Sequence, residues 1–176
     1  YFVECHSYAC LKATLKAVKD YNMPYFILGK GSNLLVSDKG IRGVVISLLG
    51  LDEITVEGDT ITVGAGLTLA KLCMVALENS FTGLEFAYGI PGSVGGALYM
   101  NAGAYGGEMS QVVVGATVLD KDGEIKEVAL ENMKLGYRKS IFKTNGDIIL
   151  SVKFSLKKGD KDKKKKKMDD LMSRRK

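Results

Sequence analysis

The sequence predicts an α+β fold built from two small mixed layers, on three observations. Short apolar runs alternate with polar residues around glycine turns, only two stretches carry apolar residues at sustained helical spacing, and βαβ units are few. Hairpins covered by occasional helices satisfy this pattern better than a doubly wound parallel sheet.

Taken in order, Tyr1-Phe2-Val3 reads as the end of a strand, so the chain is expected to begin inside a fold. Ser7 can cap a helix in which Leu11, Leu15 and Val18 recur on one side up to Tyr21, and Asn22-Met23-Pro24 stops it. Tyr25–Leu28 is a short apolar strand, Gly29–Asn33 a turn, Leu34-Leu35-Val36 a second strand and Val44-Val45-Ile46 a third. Ile54 and Val56 alternate with polar residues, Gly58-Asp59 turns the chain, and Ile61 and Val63 alternate again, which predicts a hairpin. Thr68 can cap a helix striped by Leu69, Leu72, Cys73, Ala76 and Leu77 and closing near Asn79. Val112–Leu119 and Glu124–Val128 form a second hairpin about Lys121-Asp122-Gly123; Leu130–Leu135 reads as a short helix and Ile148–Leu156 as a last strand.

Between these elements lies Gly83–Gly107, rich in glycine yet interleaved with Phe86, Tyr88, Ile90, Leu98 and Tyr105. A linker would be polar and a regular element would hold fewer glycines, so this stretch is expected to be an ordered loop. Its glycines let backbone N–H groups come close to a flat or charged ligand. The turn Gly29-Lys30-Gly31-Ser32-Asn33 offers converging amides and two short polar side chains, which suits an anion such as a diphosphate. It is not a P-loop, because Gly31 follows the Gly-Lys pair where Ser or Thr is needed. Nor is it the dinucleotide fingerprint, which would open a helix.

Composition excludes several classes. No apolar run has membrane-spanning length, and the N-terminus lacks a signal pattern, so a cytoplasmic protein that does not engage membranes is expected. Cys5, Cys10 and Cys73 are an odd set without C-x-x-C spacing, and His6 is the single histidine. Neither a disulfide framework, a metal site nor a Ser/His/Asp or Cys/His nucleophile can be built from them. The net charge of +5 is concentrated: residues 155–176 carry 11 basic against 4 acidic side chains, and the rest of the chain is at −2. That segment has no interleaved aromatics, so it is expected to be a solvated tail or exposed helix, not a nucleic-acid surface. A monomer is favoured.

Three motifs in a fixed order make the reading specific: L-G-K-G-S-N-L-L-V at 28–36, G-I-P-G-S-V-G-G-A-L-Y-M-N-A-G-A-Y-G-G-E at 89–108 and G-Y-R-K-S-I-F-K at 136–143. Together they resemble the UDP-N-acetylenolpyruvoylglucosamine reductase (UDP-N-acetylmuramate dehydrogenase) family, and the similarity runs to about Leu156. The resemblance implies a two-subdomain FAD-binding fold of the vanillyl-alcohol-oxidase type, with FAD held noncovalently and NADPH as hydride donor. It further implies reduction of UDP-N-acetylglucosamine enolpyruvate to the lactyl ether for peptidoglycan synthesis. Residues 1–50 would form the first FAD-binding subdomain, 51–156 the second, and 157–176 a basic linker or helix leading towards a substrate domain.

Carried over residue by residue, Gly29, Lys30, Gly31, Ser32, Asn33 and Leu34 would cradle the FAD diphosphate. Gly89, Pro91, Gly92, Ser93 and Gly96, with Gly103, Ala104 and Tyr105, would line the flavin and its ribityl chain, and Ala87, Asn101 and Ile149 are assigned to the cofactor as well. Arg138 would be the catalytic arginine, stabilising enolate-like charge beside the substrate carboxylate, with Tyr137 next to it at the substrate. The family's proton-donor serine and later glutamate belong to a third domain that these residues do not match. The expectation is therefore a flavin-binding stretch that cannot complete the reduction alone. Two other readings stay open: another FAD-dependent oxidoreductase of the same superfamily, and a non-catalytic nucleotide-binding module.

Overall fold

The computed structural model describes residues 1–174. Arg175 and Lys176, at the end of the basic segment, lie outside the described residues.

The first layer comprises β1 (Phe2–Glu4), α1 (Tyr8–Asp20), β2 (Tyr25–Leu28) and β3 (Val44–Ser47). Ser7 Oγ accepts the Cys10 amide and starts α1, which buries Leu11 and Val18. The strands run in the order β1-β3-β2 and are parallel, with Ile46 opposite both Val3 and Ile27. This corrects the strand, turn and strand expected over Tyr25–Val36. Residues 29–43 contain no strand, and Leu34-Leu35-Val36 is exposed loop, with Leu35 98% accessible. β3 takes the place beside β2 that the triplet was expected to fill, and Leu34-Leu35-Val36 pairs with no strand. The long connection is what lets the chain return and enter β3 parallel to β2.

The second layer is antiparallel throughout. β4 (Ile54–Glu57) and β5 (Thr60–Gly64) form the expected hairpin, followed by α2 (Leu69–Glu78), which Thr68 caps by accepting the Lys71 amide. β6 (Phe81–Thr82) precedes a 3-10 turn at Glu85–Ala87. The glycine-rich stretch then departs from the expected loop: it contains α3 (Val94–Tyr99) and a tight hairpin of β7 (Gly103–Ala104) with β8 (Gly107–Glu108). A helix forms there despite three glycines at 92, 95 and 96 because Gly95 packs directly on Ala65, where a Cβ would come within 2.7 Å of the alanine methyl. Close packing, not propensity, decides this element.

β9 (Val113–Leu119) pairs with β10 (Ile125–Ala129), and Leu130–Asn132 forms only a single 3-10 turn. α4 (Phe142–Asn145) leads into β11 (Ile148–Ser155), giving a sheet ordered β10-β9-β11-β5-β4. β11 serves both layers. Ile148 and Leu150 join the core under α1 with Leu11 and Ile46, whereas Ile149, Val152 and Phe154 fill the larger core with Leu72, Phe86 and Leu98.

The basic segment is not a free tail. β12 (Lys157–Lys158) pairs with β6, and α5 (Lys161–Ser173) buries Lys164, Met168 and Leu171. Lys164 and Met168 close a small cavity of about 10 Å³ with Cys73, Phe81 and Glu85. Its five other lysines and its aspartates face solvent, as a charge run on a surface helix does. Among the described residues no helix is long and apolar enough to cross a membrane. All three cysteines are free, and burial together with the neighbouring Glu85 pushes the Cys73 thiol up to about 12.

Candidate functional site

A cleft of about 1130 Å³ opens between the two layers. That is at the large end of small-molecule sites, ample for a dinucleotide-sized ligand. One wall is β2 and the turn that follows it, where Gly31 takes φ +74° and its C=O accepts the Leu34 amide at 3.2 Å. This left-handed conformation explains the glycine. Gly29, Lys30, Gly31, Ser32, Asn33 and Leu34 all lie on this wall.

The facing wall is built by the glycine-rich stretch. Its entry is stitched to the β5–α2 connection: the Leu69 amide donates to Gly92 O (3.0 Å), Val94 N to Leu67 O (2.8 Å) and Gly95 N to Ala65 O (2.8 Å). Pro91, Gly92, Ser93, Gly96, Asn101, Gly103, Ala104 and Tyr105 all line the cleft, as does Ile149 from β11. Ala87 does not: it is fully buried in the main core, on the 3-10 turn behind this wall. Gly89 is likewise off the cleft wall.

Ser93 is the point where the two walls meet. It occupies the N-cap position of α3 but makes no capping bond, and its Oγ is buried with no protein partner. It lies against Gly29, whose missing side chain leaves room for it. A buried hydroxyl without a partner is uncommon, and one facing a cleft between two backbone turns is what a polar ligand would satisfy. The residues therefore fit an extended ligand carrying phosphate and polar ring atoms.

The third region is the turn 136–139. Gly136 and Lys139 exchange two backbone hydrogen bonds of 3.0 Å, and Arg138 sits at φ +50°. Its Nη2 donates to Asn33 Oδ1 at 3.0 Å, across the cleft. Tyr137 projects beside it and is 91% exposed. Lys143 Nζ donates to Arg138 O (3.0 Å), Ser140 Oγ to Tyr99 O (2.7 Å) and Asn101 Nδ2 to Gly136 O (3.1 Å). Lys30, Arg138 and Lys143 outnumber Glu108 and Asp147 on the cleft wall, three cations against two carboxylates. An anionic ligand is favoured.

The sequence expectation did not include β2, Gln111, Phe142, Lys143 or Asp147, which also line the cleft. The signal for Lys143 was present, since it closes the same Y-R-K-S-I-F-K run as Arg138. β2 reads only as a core strand.

Residues 1–129 match the family described as FAD binding domain. The chain is 51% identical over 175 residues to the UDP-N-acetylenolpyruvoylglucosamine reductase of Clostridium novyi (strain NT), covering 99% of this chain and 57% of that protein. It is 47% identical over 174 residues to UDP-N-acetylenolpyruvoylglucosamine reductase 2 of Bacillus cereus (strain ATCC 10987 / NRS 248), again covering 99% and 57%. The chain thus spans little more than half the length of these relatives. Among solved structures, UDP-N-acetylenolpyruvylglucosamine reductase from Thermus caldophilus superposes with a TM-score of 0.82 at 34% identity, over 99% of this chain and 61% of that one. The 6-hydroxy-D-nicotine oxidase of Arthrobacter nicotinovorans shares the fold alone, with a TM-score of 0.67 at 16% identity over 89% of this chain and 36% of that one. The α+β fold is thus shared with both structures, and the chain belongs to the FAD binding domain family, with UDP-N-acetylenolpyruvoylglucosamine reductases among its relatives.

Proposed function

We propose that this chain is the flavin-holding part of an NADPH-dependent reductase that converts UDP-N-acetylglucosamine enolpyruvate to UDP-N-acetylmuramate in the cytoplasm. The observation that carries the reading is the convergence of the Gly29–Leu34 turn, the Ser93 wall and Arg138 on one cleft, in a chain about half identical to reductases of that name. FAD, when bound, supplies the hydride relay between the nicotinamide and the enolpyruvyl ether.

Each role follows from the side chain's surroundings. Backbone amides of 29–34 hold the diphosphate, and Ser93 Oγ, which has no protein partner, donates to or accepts from the cofactor. Gly92, Gly96, Gly103 and Ala104 give the flat ring a wall without bulky side chains, and Tyr105 borders it. Arg138 is carried on a turn fastened at both ends, so its guanidinium meets the substrate carboxylate bidentately and stabilises the enolate-like charge that builds on the adjacent carbon. Tyr137 borders the substrate. The proton that completes the lactyl ether comes from a group outside these 176 residues, in the portion of the relatives that this chain does not span.

The 176-residue chain is expected to take up FAD and show its absorption spectrum, and not to turn over the enolpyruvyl substrate. The full-length protein is expected to oxidise NADPH in proportion to that substrate. A protein that stays colourless after FAD is added, or a full-length protein inert towards the enolpyruvyl substrate, overturns the reading.

A further inference from the structure

Asn101 is expected from the sequence to touch the cofactor, yet its side chain is committed elsewhere. It is only 4% exposed and sits at φ +43°, just after α3. Its Nδ2 donates to Gly136 O at 3.1 Å, 35 residues away, and its Oδ1 accepts the Ser110 amide at 2.9 Å. The two bonds fix the orientation of the amide, because turning it over would set N–H against N–H and oxygen against oxygen. Gly136 begins the turn that carries Arg138.

We infer that Asn101 is a positioning residue: it anchors the Arg138 turn to the wall of the cleft and so fixes the guanidinium relative to the cofactor. The inference rests on the role proposed for Arg138. Three features support it. Arg138 has a left-handed backbone, which a non-glycine residue keeps only where its surroundings hold it. Tyr137 on the same turn is almost wholly exposed, so side-chain packing of the turn's tip does not hold it. Of the other side-chain bonds to the turn, those from Arg138 to Asn33 and from Lys143 to Arg138 O act at the arginine and that from Ser140 to Tyr99 acts after it, whereas the Asn101 bond holds the turn ahead of the arginine. One short segment, Tyr99–Asn101, thereby receives or supplies contacts on both flanks of the turn.

Substitution can separate the two bonds. Asn101→Asp tolerates the left-handed backbone and can still accept from Ser110, but it cannot donate to Gly136 as a carboxylate. Asn101→Gly keeps the backbone and loses both bonds. In the full-length protein, the Gly136 and Lys139 amides are expected to exchange hydrogen about tenfold faster in both variants. Bound flavin and the rate at which NADPH bleaches it are expected to stay within about twofold of wild type, while reoxidation by the enolpyruvyl substrate slows by about 10- to 100-fold. Adding Asn101→Asp to Arg138→Ala is expected to slow that step no further, since both changes disable one group.

Unchanged exchange at Gly136 and Lys139 overturns the positioning role by itself, whatever the enzyme does. Loss of flavin, equal slowing of both half-reactions, or full additivity with Arg138→Ala also overturns it, and would make Asn101 a cofactor contact or a general structural residue. A wild-type protein inert towards the enolpyruvyl substrate defeats the reading of the reaction instead, and the exchange measurement still decides the anchor.

Discussion

Arg138 Nη2 donates to Asn33 Oδ1 at 3.0 Å, joining loops 105 residues apart at the mouth of the cleft. Both residues are exposed, so the bond contributes little to stability, about 0.5–1 kcal/mol. Arg138→Ala is accordingly expected to lower the melting temperature by only about 2 °C. If the guanidinium stabilises charge developing on the substrate, the same change should cut enolpyruvyl-dependent turnover of the full-length protein by about 10²- to 10³-fold. Comparing thermal denaturation with single-turnover rates checks this split; a large loss of stability with modest loss of turnover would make Arg138 a structural residue.

Gly31 tests the diphosphate turn, with Gly40 as its control. The two have nearly the same backbone, φ +74° and φ +71°, but only Gly31 is on the cleft wall. A β-branched residue in that conformation is strained by about 1–2 kcal/mol at either place. Gly31→Val and Gly40→Val should therefore destabilise similarly, and only Gly31→Val should lose FAD on gel filtration. Retention by both variants would remove the turn from the site.

Ser93→Ala asks what the orphaned hydroxyl is for. Because Oγ has no protein partner, its removal should leave the flavin-free protein as stable as before or slightly more so. FAD affinity, measured by quenching of flavin fluorescence, should fall about tenfold. An unstable variant with normal affinity would show that the hydroxyl serves the fold.

Lys164 makes the opposite case, a buried group that weakens its own element. Its Nζ has no partner, and burial holds its pKa below the usual 10.5, opposed by the attraction of Glu85. Below 10.5 the unfolded chain therefore binds the proton more readily than the folded one, and stability rises with pH towards that value. Lys164→Met, which fills the same space without a charge, should raise the melting temperature at neutral pH by about 2–4 °C. The gain should shrink towards about pH 10, where the wild-type amine is more often neutral. A gain that does not change with pH would point to packing alone.

Local signals were legible in the sequence and distant ones were not. The Ile54–Val63 hairpin and the stripe from Leu69 to Leu77 are periodic within ten residues, and each forms as expected. The parallel insertion of β3 between β1 and β2 depends on pairing across more than forty residues, which no local pattern encodes. Leu34-Leu35-Val36 shows the consequence: its propensity favours a strand, yet it pairs with none. α3 was hidden because glycine weakens helices in general, whereas here its small size against Ala65 admits one. At the cleft, the motifs marked most of the wall, but the bond from Asn101 to Gly136 spans 35 residues and involves a backbone carbonyl, so it leaves no mark in composition or spacing.

β11 contributes alternate side chains to two cores, and this has a mechanical consequence. A hinge needs a seam that few contacts cross, and here the seam is occupied by a strand that belongs to both sides. The floor of the cleft is thus a shared wall of fixed position, and the layers cannot swing apart without emptying Leu150 from one core or Val152 from the other. Access for a large ligand must come from the rim, through the exposed 29–43 loop and the arginine turn that touches it. Breathing in this protein belongs to its lips, not its jaws.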